Sequence, residues 1–328
     1  MTGNQTDSSV TSSSEYKLAI LYAIVGTIGL LGNMFVCYVF YRIRRLRSIT
    51  NLFIINQSVI DMISSLIFLI LKLGPIKLPS KGISGSLFCK FWYSEYLMWS
   101  LFLASTANLC VVTLERYFAI CHPVFHRNKF NKKAAKIIIA IVWLYGFPIE
   151  LLWGLPFHHS GEHCAIKYIS REFSLIVGVL FFCIAWFFPL VLMVVCYVQI
   201  IKRLSGNKLN PSDNADRHSS NNNSTFRRAQ RNVVKTLFIV SMTYALCWGP
   251  NEIALLHFNM GGYLDFSSDY YFFSVVLVFC NPCINPFIYV FQYHQFRDKI
   301  PIAFGCKKAS TTDERTGTVT GSEMHTDA

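Results

Sequence analysis

The chain has 328 residues, of which 53% are hydrophobic and only 15% charged, with a formal net charge of +12. Its mean hydropathy is positive, at +0.39. That profile excludes an ordinary water-soluble domain and describes a polytopic membrane protein. The basic excess lies in loops, so topology and anionic lipid explain it more simply than nucleic-acid binding does.

In chain order, residues 1–17 are polar and contain the glycosylation sequon Asn4-Gln5-Thr6. Leu18 to Tyr41 is uncharged and of full span length, so it reads as a first span and not a cleaved signal. Leu52 to Leu71 carries only Asp61. Tyr96 to Leu114 is a run of nineteen uncharged residues closed by Glu115-Arg116-Tyr117. A carboxylate and a guanidinium there are costly unless paired, which predicts a charged latch at a membrane surface. Ile137 to Phe157 contains Glu150, and Phe173 to Ile201 is uncharged. Thr236 to Phe258 contains Glu252, and Tyr270 to Gln292 is uncharged. The expected fold is an all-α membrane protein, a seven-transmembrane helix bundle over 18–292. The alternating ten-residue segments of a membrane barrel are missing.

The loops orient the bundle. Those after spans one, three and five carry four, five and eight Lys or Arg, against seven on the opposite side. The richer side is expected to be cytoplasmic, which places the N-terminus (1–17) outside and the tail (305–328) inside. Within the long insert before span six, 207–225 is rich in Asn, Ser and Asp and is expected to be disordered. Residues 293–304 place Phe296, Ile300 and Phe304 at a spacing of four, the pattern of a short amphipathic surface helix. Cys306 follows it, suited either to palmitoylation or to remaining a free thiol.

Several polar and kinking residues interrupt the spans. Asp61 costs roughly 3 kcal/mol at mid-span, so it should face the bundle interior. Asn33, Ser105, Asn281 and Asn285 are the nearest candidates to share a polar site with it, either a hydrated site suited to a cation or one where a neutral Asp61 bonds neighbouring helices. Pro148, Pro189, Pro250, Pro282 and Pro286 each remove a helical hydrogen bond. Pro250 follows Cys247-Trp248-Gly249, which sets a bulky ring beside a hinge. Cys89 and Cys164 both fall on the outer side, where a disulfide is compatible with an oxidising compartment. No zinc-ligand spacing, Ser/His/Asp set, H-E-x-x-H or phosphate loop is present, so enzymatic chemistry is not expected.

Together these motifs resemble a rhodopsin-like (class A) G-protein-coupled receptor, over about Leu18 to Cys306. The matching residues are Gly32-Asn33, Asn56 with Asp61, Glu115-Arg116-Tyr117, Pro123-Val124, Trp143, Pro189 with Tyr197, Cys247-Trp248-Gly249-Pro250 and Asn285-Pro286-Phe287-Ile288-Tyr289. The resemblance implies that Arg116 pairs with Glu115 at rest and meets a heterotrimeric G protein when active, with Val124 inserting beside it. Trp248 would sense ligand, and Tyr197 and Tyr289 would swing toward Arg116. Asp61, Ser105, Asn281 and Asn285 match a sodium site, with the ion as an allosteric modulator, and Cys89 pairs with Cys164. Ser310, Thr311, Thr312, Thr316 and Thr318 would be receptor-kinase sites that recruit arrestin.

The chain also departs from that pattern. Cys89 stands two residues further from Glu115 than is usual, so a bulge is expected at the top of span three. Gln230 replaces an acid that locks Arg116 in some members, which predicts appreciable basal activity. Tyr244 and Thr106 replace the commoner Phe and aliphatic residue, and Pro282 a small polar one.

The ligand class follows from the outer half. Met98 stands where aminergic receptors carry Asp, and Phe279 where opsins carry the retinal Lys. The expected pocket is Glu95, Met98, Trp99, Glu252, Trp248 and Tyr271, acidic and aromatic, which suits a basic peptide. The resemblance is closest to the neuropeptide-receptor branch, at the plasma membrane. Rival readings are a lipid, proton or small-molecule ligand, an internal Glu252–His257 pair, and a transporter or channel. The last would need internal repeats that are not found. His158, His159 and His163 beside Cys164 could sense protons or bind zinc, or be ordinary loop residues.

Overall fold

The computed structural model describes residues 6–43, 48–75, 82–161, 163–167, 170–206, 217–266 and 268–306. Asn4, residues 207–216 and the Ser/Thr tail from Ser310 lie outside them. Seven helices are long and apolar enough to cross a membrane: Leu18–Arg42, Ile49–Leu73, Ile83–Cys121, Lys132–Gly154, Arg171–Ser205, Gln230–Asn259 and Asp269–Gln292. The expected seven-helix bundle is therefore present.

The elements run α1 (Thr6–Arg42), α2 (Ile49–Leu73), α3 (Ile83–Leu87), α4 (Tyr96–Cys121), α5 (Pro123–Lys129) and α6 (Lys132–Gly154). Then come β1 (Phe157–Ser160), β2 (His163–Ile166), α7 (Arg171–Phe182), α8 (Phe188–Gly206), α9 (Arg217–Asn259), α10 (Asp269–Gln292), α11 (His294–Arg297) and α12 (Ile300–Ala303). Four of the long helices start on side-chain caps that accept an orphan N–H: Ser48 for α2, Asn131 for α6, Ser170 for α7 and Ser268 for α10.

Two spans are interrupted by a wide helical turn. Between α3 and α4, Phe88–Tyr93 winds so that Ser94 N–H reaches the Cys89 carbonyl five residues back, at 3.2 Å. Glu95 follows with φ +58°, a left-handed conformation that is strained for a side chain bearing Cβ. This bulge absorbs the extra residues between Cys89 and Glu115. Cys89 is bonded to Cys164, with Cα atoms 5.5 Å apart. A similar turn, Cys183–Phe187, joins α7 to α8 just ahead of Pro189.

Helix α4 runs through the middle of the bundle against α2, α6 and α8, while α1 packs on α2 and α10, and α9 on α10 and α7. Small residues set the closest approaches. A Cβ on Gly146 would lie 2.0 Å from the Ser100 carbonyl, so only glycine lets α6 come that near α4. A Cβ on Gly32 would meet the Pro286 ring at 3.0 Å. The outward face is apolar: Ile137, Ile141 and Leu144, at helical spacing on α6, are all exposed, as a lipid-facing stripe requires.

Three features differ from expectation. An antiparallel hairpin, β1–β2, adds strand to an otherwise helical fold, with His159 opposite Cys164. Strand alternation sends His158 and His159 to opposite faces, so the three histidines do not form one cluster. Among the described residues no His/Cys/Asp/Glu group is poised for a metal. Residues 217–225, expected to be disordered, begin α9, because a nucleated helix adds one hydrogen bond for each residue it extends. The surface helix expected over 293–304 consists of two short pieces, α11 and α12, broken at Asp298 and Lys299. Phe296 buries into the bundle, and Phe304 packs on Phe35 and Tyr38 of α1.

Candidate functional site

At one end of the bundle the latch is closed. Arg116 donates to Glu115 through Nε (2.6 Å to Oε2) and Nη2 (2.5 Å to Oε1). Glu115 is fully buried and has two further partners, His126 Nε2 at 2.7 Å and Thr50 Oγ1 at 3.1 Å. His126 comes from α5, which Pro123 starts at its first position and which folds the loop back beneath α4. Tyr197 is held by Thr113 and Ser241, each at 3.3 Å, and bonds neither Arg116 nor Glu115. Tyr289 is buried, and Val124 is exposed. Gln230 makes no ion pair with Arg116. Two residues on, Asn232 donates to the Gln292 carbonyl (2.9 Å) and accepts from His294 N–H (3.0 Å), tying α9 to the α10–α11 junction.

In mid-bundle Asp61 is fully buried. Its Oδ1 accepts from Ser105 (3.0 Å) and Gln57 (3.1 Å), and its Oδ2 from Asn285 (2.8 Å) and Gln57 (3.2 Å). Gln57 Nε2 also donates to Ser105 Oγ. Ser105 and Asn285 therefore do converge on Asp61. Asn281 makes no bond to it, and its Oδ1 is buried without a partner among the described residues. A sodium ion would need free carboxylate lone pairs, and two oxygens offer about four sites. The Ser105 O–H, one Asn285 N–H and the Gln57 amide, whose two hydrogens are shared among both Asp61 oxygens and Ser105 Oγ, crowd them, so this set does not fit the ion expected there.

Proline chemistry organises the helices between the two ends. Pro189 has no N–H for the Ala185 carbonyl, and the Tyr244 hydroxyl donates to that carbonyl instead. Pro286 likewise frees the Pro282 carbonyl, which accepts from Asn33 Nδ2 at 2.9 Å. The Pro250 carbonyl accepts from Tyr270 at 3.1 Å. Trp248, one turn beyond Tyr244, lies edge-on to Trp99 and Phe102, with ring centroids 6.3 and 5.7 Å away. Its indole N–H is buried without a partner among the described residues.

At the disulfide end a cavity of about 460 Å³ opens between the spans. Glu95, Trp99, Trp248, Glu252 and Tyr271 line it, together with Trp153, Phe157 and Phe258. Met98 does not. Met98 sits one residue, about 100° of helical turn, from the cavity-lining Trp99 on the regular part of α4, and it packs fully into the core. Glu95 forms an ion pair with Lys72, whose ammonium also lies 5.9 Å from the Tyr22 ring centre. Its charge is thereby already compensated. Glu150 also lines the cavity, beside Asn251 and Asn259. It was legible as a span charge, but its place in the pocket depends on the Gly146 approach one turn away. Glu150 and Glu252 are both buried, and neither has an ion-pair or hydrogen-bond partner among the described residues. The expected alternative, Glu252 paired with His257, is not formed.

A seven-span bundle with an aromatic cavity at one end and an arginine latch at the other defines a membrane receptor. The family model for the 7 transmembrane receptor (rhodopsin family) matches residues 32–289. The chain belongs to this family of G-protein-coupled receptors, which are receptors and not enzymes. It is similar to the Substance-P receptor of Aquarana catesbeiana, 25% identical over 288 residues, covering 85% of this chain and 68% of that protein.

Proposed function

We propose that this receptor is activated by a basic peptide from outside the cell and then promotes nucleotide exchange on a heterotrimeric G protein. The observation that carries the reading is the pair of buried, unpartnered carboxylates, Glu150 and Glu252, on one aromatic-walled cavity. Buried charge is stable only when paired. A guanidinium or ammonium on the ligand supplies the missing partner, and flat rings suit its faces. The similarity to a receptor named for substance P, a neuropeptide, supports the peptide class.

The cavity floor is Trp248, two residues from Pro250. A ligand that favours one arrangement of this hinge shifts the bundle toward it. The far end of α9 then leaves α10, Arg116 leaves Glu115, Tyr197 and Tyr289 turn toward it, and the exposed Val124 meets the G protein. The loop charges support an orientation with the N-terminus, including Asn4, outside the plasma membrane and the tail inside. There the tail Ser and Thr residues serve receptor kinases and arrestin, and the exposed Cys306 is placed for lipid attachment.

The test is a charge-sorted peptide library applied to the receptor reconstituted with G proteins of several classes, read as nucleotide exchange. Activating peptides should carry Arg or Lys and lose potency when that residue becomes citrulline or norleucine. Activation by a neutral lipid, with no peptide active, would overturn the reading.

A further inference from the structure

The disagreement at Asp61 has a specific cause. Gln57 lies one helical turn before Asp61 on α2, and its amide nitrogen covers both carboxylate oxygens. The orientation of that amide is set from outside the site. Trp143 Nε1 of α6, which can only donate, bonds Asn56 Oδ1 at 2.9 Å. That leaves Asn56 Nδ2 to donate to Asn108 Oδ1 of α4, also at 2.9 Å. Asn108 Nδ2 in turn donates to Gln57 Oε1 at 2.8 Å and to the Phe53 carbonyl at 3.0 Å. With its oxygen engaged, Gln57 must present Nε2 to Asp61 and Ser105. The sense of donation therefore runs one way, from the indole through three amides to the carboxylate, and Asn285 of α10 closes it from the other side.

We propose that the Gln57 carboxamide is a tethered substitute for a cation, so that sodium does not modulate this receptor. The amide supplies partial positive charge where an ion would otherwise balance Asp61, and its NH2 group, shared between Asp61 and Ser105, stands in the space an ion would fill. The substitute is intramolecular, so its occupancy does not depend on salt. It also joins spans two, three, four and seven into one polar network whether or not ligand is bound. The inference stands apart from the peptide reading, because none of its residues lines the ligand cavity.

The experiment needs no agonist. Purified, ligand-free receptor is heated in sodium chloride and in choline chloride at equal ionic strength, across a sodium titration. A protein that binds an ion only when folded gains Tm in a saturable way as the ion rises. Wild type should show no sodium-specific shift. Gln57→Leu, which deletes the amide but keeps apolar bulk, should gain a saturable sodium-dependent rise in Tm. Gln57→Glu should gain one also, since it places a second carboxylate beside the first. A saturable sodium-specific stabilisation of wild type would overturn the proposal and assign the unpartnered Asn281 and Asn285 oxygens to the ion. Folded Gln57 variants that stay indifferent to sodium would overturn it as well, by showing that the amide is not what excludes the ion. If neither variant folds, the wild-type titration alone decides.

Discussion

Glu115 and the pair Glu150 and Glu252 are all buried acids, and their surroundings are opposite. Glu115 meets Arg116, His126 and Thr50, which fill its lone pairs at the end of α4. Glu150 and Glu252 meet no cation and no donor among the described residues, though a cavity lies open before them. Glu95, the third acid on that cavity, is already paired with Lys72. A buried carboxylate with partners holds one arrangement of the chain in place. A buried carboxylate without partners is a demand that something else must meet. On this comparison, we propose that ligand recognition belongs to the unpaired acids and control of state to the paired one.

The largest expected effect comes from breaking the paired end. Arg116→Ala removes the cation that Glu115 holds and that the G protein would receive. Agonist-driven nucleotide exchange should fall to the level of receptor-free membranes, with cell-surface expression retained. Undiminished exchange would remove Arg116 from the coupling role.

Next come the unpaired acids. Glu252→Gln or Glu150→Gln keeps the shape and deletes the charge. A hydrogen bond to a charged group is worth about 2 kcal/mol, or roughly thirtyfold in the potency of a basic peptide. The same variants should leave ligand-free stability equal or higher, because a buried carboxyl without a partner has gone. Replacing Glu95, whose partner is internal, should instead lower stability and cost less potency. Equal losses at all three positions would erase the distinction between paired and unpaired acids.

These contrasts also show what was legible in the sequence. Spans, prolines, Asp61 and Glu115-Arg116-Tyr117 were visible because each is costly in a membrane and so carries meaning by itself. His126 was not, since its bond to Glu115 exists only once α5 folds back. Gln57 is a neutral amide that no insertion cost marks, and Asn56, another, was visible only through the family resemblance. Met98 was assigned to the pocket because it stands where aminergic receptors carry Asp, but on α4 that position faces the packed core beside the cavity-lining Trp99. The hairpin β1–β2 has four-residue strands that lack an alternating apolar pattern.

A third contrast lies between Gln230 and Asn232. The missing acid at Gln230 predicts a loosely held Arg116 and appreciable basal activity. Asn232 supplies a different restraint, two bonds across the α10–α11 junction. Asn232→Ala should therefore raise basal nucleotide exchange further. Loss of two hydrogen bonds shifts the resting equilibrium by about 1–2 kcal/mol, a factor of roughly 5–30. Gln230→Glu should act in the opposite sense and lower basal exchange. Basal exchange unchanged by Asn232→Ala at matched surface expression would show that the clamp does not hold the resting state.

The smallest effect is expected where a polar atom repairs the backbone. Tyr244 and Trp248 sit one turn apart on α9, and both are buried. The Tyr244 hydroxyl has a partner, the Ala185 carbonyl that Pro189 leaves without its helical bond. The Trp248 N–H has none among the described residues. By the rule that separates the acids, Tyr244 serves the scaffold and Trp248 faces the ligand. Tyr244→Phe orphans a buried carbonyl and costs roughly 1–3 kcal/mol in stability. Ligand-free Tm should drop, while peptide potency stays within about threefold, because no cavity contact is lost. A potency loss as large as that of Glu252→Gln, with Tm unmoved, would place Tyr244 in ligand sensing and blur the boundary between the two regions.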